Sequence, residues 1–135
     1  NMKIEVSNGE IIDKLTILKI KLDQIKDADK LVNIQKEYDY LNAVVGMIYA
    51  EFKDDHAITK ELQFLHDDLL NVNKTLWNIE DFIRAFEKTE VFNEDFIELA
   101  RSVYFTNDDR SDVKKKINTL TGSQFVEEKS YEEYK

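Results

Sequence analysis

The chain has 135 residues, a formal net charge of −9 and no cysteine. That length fits a single helical domain over 1–135, with a bundle over 2–122 and a charged tail over 123–135. An acidic surface repels phosphate backbones and anionic lipid, so neither nucleic acid nor a membrane is an expected partner. Without cysteine there is no disulfide, no thiolate nucleophile and no cysteine-ligated zinc or iron–sulfur site.

The chain has no proline and only three glycines, Gly9, Gly46 and Gly122, which favours long helices. No apolar run near the start resembles a secretion signal, and none approaches the roughly 18 residues of a membrane span. A cytoplasmic location is the expectation. Asn1, ahead of Met2, reads as an added residue and is left aside.

In chain order, Ile4 and Val6 alternate with Lys3 and Glu5, a short extended segment at most. Ser7 and Glu10 then stand at capping-box spacing, so a helix starts near Gly9. Its apolar stripe is Ile11, Leu15, Leu18, Leu22 and Ile25. The run Asp27-Ala28-Asp29 interrupts it and offers the next N-cap. The second helix carries Leu31, Ile34, Tyr38, Leu41, Val45, Ile48 and Phe52, and breaks at 53–56.

The third helix, predicted over about 57–88, is the clearest. Its residues Ile58, Leu62, Leu65, Leu69, Val72, Leu76, Ile79, Ile83 and Phe86 step by four and three throughout. Asn93 is the next cap. A fourth helix presents Phe96, Leu99, Ala100 and Val103. Thr106 or Asn107 then reads as the cap of a fifth helix carrying Val113, Ile117 and Leu120, with Gly122 past its end. Phe125 and Val126 are possible anchors of the tail. The expected fold is all-α: an antiparallel bundle of about five helices around one long central helix.

The first two helices carry more apolar residues than one buried face needs: Ile12, Ile17 and Ile20 on the first, Tyr40, Val44 and Met47 on the second. The surplus favours a homodimer through these helices, against a central position for them in the monomer. Gly46, inside the second helix, fits a close helix crossing.

His66, Asn73, Glu80 and Glu87 follow one another at seven-residue steps and form a polar seam beside the core stripe. Arg84 lies within reach of both Glu80 and Glu87. Such carboxylates are interhelical salt-bridge positions or the lining of a cleft. On the fourth helix Arg101 lies three residues after Glu98, which allows a surface pair, while Tyr104 sits at the core margin. The acids and lysines of 108–116 match the polarity that a helix dipole favours, but Arg110, near the start of the expected fifth helix, does not. The candidate ligand site is therefore Glu80, Arg84, Glu87, Arg101, Tyr104, Asn107 and Arg110, with arginines placed to hold an anion. No phosphate-binding glycine loop, no HExxH and no Glu-x-x-His pair is present, so no metal or cofactor is assigned.

The stretches "GEIIDKLTILKIKLDQI", "LWNIEDFIR" and "FIELARSVYFTNDDRSDVKKKIN" resemble a family of short bacterial proteins of unknown function, often encoded near genes for surface-polysaccharide synthesis. The resemblance implies that these blocks act together. The gene association implies a helper in sugar or nucleotide-sugar metabolism. No site residue is carried over from it. The expected function is a dimeric helical module that binds a partner protein or a small anionic ligand, phosphate- or nucleotide-sugar-like. The alternative is a metal-dependent nucleotide phosphohydrolase using the carboxylates of the third helix. Its spacing support is thin: only Glu51 and Asp54 have the ExxD spacing that helical pyrophosphatases use, and no EExxE exists.

Overall fold

A computed structural model describes residues 1–123, 125 and 127–134. Four helices account for the secondary structure among them: α1 Asn8–Gln24, α2 Ala28–Glu51, α3 His56–Thr89 and α4 Glu94–Thr121. Residues 1–7 form neither helix nor strand.

Each helix starts where a side chain can satisfy its free N–H groups. Ser7 accepts from the Glu10 N–H, Asp27 from those of Asp29 and Lys30, Asp55 from Ile58 and Asn93 from Phe96. Gly122 ends α4 in the left-handed region at φ 66°, where a residue without Cβ is unstrained.

The number of helices corrects the sequence expectation. The expected joint at Thr106–Asn107 lies in the middle of α4, which runs unbroken through it. Thr, Asn and Asp each cost only a few tenths of a kcal/mol inside a helix, and tertiary contacts override that. The buried stripe also continues across the joint. Val103 and Arg110 are half-buried, Val113 and Ile117 lie in the core with Leu120 packed against it, and Arg110 reaches Asp13 of α1.

The position of the long helix is the second correction. α3 spans 34 residues, about 51 Å, and packs along α4. The centre is α1, which packs against α2, α3 and α4. Ile12 and Ile20, part of its apparent surplus, are buried inside the molecule. The core joins all four helices: Ile12 and Leu15 of α1, Val45 and Ile48 of α2, Leu62, Leu65 and Leu69 of α3, Val113 and Ile117 of α4.

Gly9 explains how closely α1 approaches α4. A Cβ there would lie 2.6 Å from the Lys114 carbonyl oxygen and 2.8 Å from Asn118 Oδ1. The gap is closed instead by a hydrogen bond from the Gly9 N–H to Asn118 Oδ1 at 2.7 Å. Asn8 adds bonds to Ser123 and Thr121, so the end of α4 caps the start of α1. Gly46 has no such role: nothing lies within 4 Å of where its Cβ would be. The close crossing expected there does not occur within the chain.

Beyond α4 the chain doubles back. Glu127 and Glu128 pair with Lys114 and Lys115, and Tyr134 packs against Tyr104 and Phe105. Phe125 is exposed, and Val126 lies outside the described residues.

Candidate functional site

Where α1, α3 and α4 meet, the core turns polar. Asp13 is 2% exposed and still accepts three side-chain hydrogen bonds. Arg110 grips it with two parallel bonds, Nε to Oδ1 at 2.9 Å and Nη2 to Oδ2. Asn73 donates from Nδ2 to Asp13 Oδ1 and to Thr16 Oγ1, both at 2.8 Å, and the Thr16 hydroxyl donates to the Asp13 carbonyl. Among the described residues no buried side-chain nitrogen or oxygen is left without a partner. A buried carboxylate is tolerable only when so compensated. The bond to Asp13 raises the pKa of Arg110 above its already high ordinary value, more than burial lowers it.

Two donors of the Arg110 fork are thus fixed on Asp13, and a guanidinium carries five. The side chain remains 30% exposed. It borders a groove of about 440 Å³ between α1, α3 and α4. The floor is apolar: Ile17 and Ile20 of α1, Leu76 and Trp77 of α3. Asn73, Glu80, Asp81, Arg84 and Arg110 supply the polar rim. A pinned arginine that borders the same groove as an indole can receive an anionic group with little rearrangement.

One turn further along α4, Lys114 is 5% exposed at its side chain. Its ammonium is paired with Glu10 of α1 and, at 3.0 Å, with Glu127. Burial disfavours its charged form, but the hydrogen bonds to Glu10 and Glu127 outweigh this and raise its pKa. The same bond from Lys114 holds Glu127 below the usual carboxylate value.

Of the residues expected to form the site, the groove brings together Glu80, Arg84 and Arg110. Arg84 Nε donates to Glu80 at 3.1 Å, both exposed. Arg101 lies elsewhere: it pairs with Glu98 at 3.3 Å and covers the Phe105 ring. Tyr104 packs against Phe105 and Tyr134. Asn107 is half-buried in mid-α4, and Glu87 is exposed beyond Arg84 on α3. The seam on α3 divides. Asn73 joins the Asp13 network, while His66 meets the Tyr49 hydroxyl at 3.1 Å from Nδ1.

Asp13 and Lys114, the two most telling residues, were not anticipated. A signal for Asp13 was present: Asp13, Thr16 and Ile20 step by three and four on a helix that is apolar on more than one side, where a buried acid needs a cation. Lys114 had no comparable signal within a run of three lysines.

Among the described residues no three His, Asp or Glu side chains converge as a metal site, and no helix is long and apolar enough to cross a membrane. No curated protein and no solved structure matches the chain. A family model does match, over residues 2–134, and the family it describes has no known function. The protein belongs to that family, DUF6165.

Proposed function

We propose that the protein is a non-enzymatic binding module that holds a small anionic ligand in the groove between α1, α3 and α4. One observation carries the reading: Arg110, fixed by the buried Asp13, borders the same groove as Trp77. A phosphate or carboxylate takes the remaining donors of Arg110, and Arg84 lies on the same rim. A planar or apolar portion lies on Trp77, Leu76, Ile17 and Ile20. A nucleotide-sugar has both parts, a base to stack and a diphosphate to pair. Glu80 and Asp81 on the rim disfavour a ligand that is anionic throughout.

The module is further proposed to work as a homodimer through α2. Val32, Tyr40 and Met47 stand exposed along that helix, and Gly46 between them leaves room for a second helix to approach. The test of the binding reading is a thermal-denaturation screen of inorganic phosphates, nucleotides and nucleotide-sugars. A ligand at 100 times its Kd stabilises the fold by about 2.7 kcal/mol. A rise in Tm with a phosphate-bearing compound supports the reading, and no shift with any of them removes it.

A further inference from the structure

Past the end of α1 the hairpin of α3 and α4 continues alone. The last turn of α1 lies beside Lys74, Trp77 and Asn78 of α3. From Asn78 to its end at Thr89, α3 runs on for about 16 Å. Since α2 lies along α1, no third helix among the described residues packs along this far part of the hairpin. Between Ile79 of α3 and Val113 of α4 no residue is buried, although the stretch holds five of the chain's eight phenylalanines.

Four of these rings gather toward the tip. Phe96 stands edge-on to Phe86 and Phe92, with centroids 6.4 and 5.1 Å apart. Phe82, one turn before Phe86, is its neighbour on the helix surface. Packing within the hairpin covers these rings only in part: Phe82 is 59% exposed and Phe92 55%. An apolar cluster left in water marks an interaction surface.

The charge around the cluster selects the partner. From Glu80 to Arg101 there are seven acids and three bases. Arg84 pairs with Glu80 and Arg101 with Glu98, which leaves five acids against Lys88. The helix dipole accounts for Glu94 and Asp95, in the first turn of α4, and for Lys88, in the last turn of α3. It works against Glu87 and Glu90, which put negative charge at the C-terminal end of α3. Glu90 also holds φ 56°, a conformation in which glycine is unstrained. Two acids thus stand where each costs stability, on the same tip as the exposed phenylalanines. A second copy of the chain carries the same acids and is repelled, as are nucleic acid and anionic lipid. A basic segment is attracted.

We infer that the tip of the α3–α4 hairpin is a docking surface for a basic amphipathic segment of another protein. The apolar side chains of the segment cover Phe82 and Phe92, and its lysines or arginines meet Glu87 and Glu90. The inference does not depend on an anion in the groove.

The test titrates the full chain, isotope-labelled for amide NMR, with a helical peptide of leucine and lysine about 18 residues long. The same peptide with glutamate in place of lysine is the control. The lysine peptide is expected to bind saturably, with amide shifts gathered in 80–101 and an affinity that falls as salt rises. The double variant Phe82→Ser/Phe92→Ser weakens binding at least about tenfold. Glu87→Gln/Glu90→Gln weakens it as well, while its Tm does not fall, because both acids oppose the dipole of α3. The glutamate peptide does not bind. Binding of neither peptide, shifts centred outside 80–101, or an affinity unchanged in both variants overturns the docking surface. Self-association of the wild type that Phe82→Ser/Phe92→Ser abolishes gives the tip to a second copy and overturns the basic partner.

Discussion

Asp13 and Arg110 are an unequal pair, and the inequality gives a sign to test. The Asp13 side chain is 3% exposed and that of Arg110 is 30% exposed. Replacing Arg110 by Met leaves a carboxylate with no route to water, and the expected cost is about 3–5 kcal/mol. Replacing Asp13 by Asn leaves a guanidinium that can swing into the groove, so the cost is smaller. Chemical denaturation of both variants gives the comparison. A larger loss for Asp13→Asn contradicts the assignment of Asp13 as the anchored partner. His66 supplies a second test, in pH. Burial lowers its pKa below 6.5, opposed by Asp67, and its Nδ1 faces the Tyr49 hydroxyl. That hydroxyl, pushed up to about 12 by burial and by Asp67, keeps its proton and shares a hydrogen bond with the imidazole. As pH falls below 6.5 the unfolded state takes up the proton first, so stability is full above 6.5 and declines below it. Tm measured from pH 7.5 to 5 should fall in the wild type, and His66→Gln should lose the part of that fall that begins near 6.5.

At the scale of elements, α4 shows both what the sequence reveals and what it conceals. Ser7, Asp27, Asn93 and Gly122 were legible as helix ends because capping is local: the partner of each lies within about four residues. The continuity of α4 was not. Its middle reads as a break because the stripe passes through Asn107 and Arg110. Arg110 is explained only by Asp13, 97 residues away in the chain. Long-range polar pairing leaves no periodic apolar signal. The groove was legible only in part for the same reason. Glu80 and Arg84 lie within one helix pattern, but which face of α4 meets them depends on the packing of α1. The two descriptions of α4 differ in a measurable sign. If Asn107 were an N-cap, Asn107→Ala would cost about 1 kcal/mol. Inside a continuous helix the same change is neutral or gains about 0.5 kcal/mol. Asn93→Ala, at the real cap, should show the cost of about 1 kcal/mol.

For the whole molecule, the open matter is what covers α2. α1 lies between the other three helices, while α2 leaves Val32, Tyr40 and Met47 in solvent. With nothing near its Cβ position, Gly46→Ala should stabilise the isolated chain by about 1 kcal/mol. If a second α2 crosses there, the added methyl instead weakens association. Sedimentation and thermal denaturation together separate the two effects: the dimer account expects a higher Tm at low concentration with a larger dissociation constant. A wild-type chain that stays monomeric at all concentrations removes the dimer.

Trp77 is the only tryptophan in the chain and lines the same groove as Arg110. Its intrinsic fluorescence therefore reports on the proposed site directly. The decisive measurement is a fluorescence titration of the wild type with a nucleotide-sugar, repeated on Arg110→Lys, which keeps the charge but loses the fork. The account predicts a saturable change in the wild type that weakens at least about tenfold in Arg110→Lys. Fluorescence that stays flat to millimolar ligand, or a response unaffected by Arg110→Lys, would contradict it.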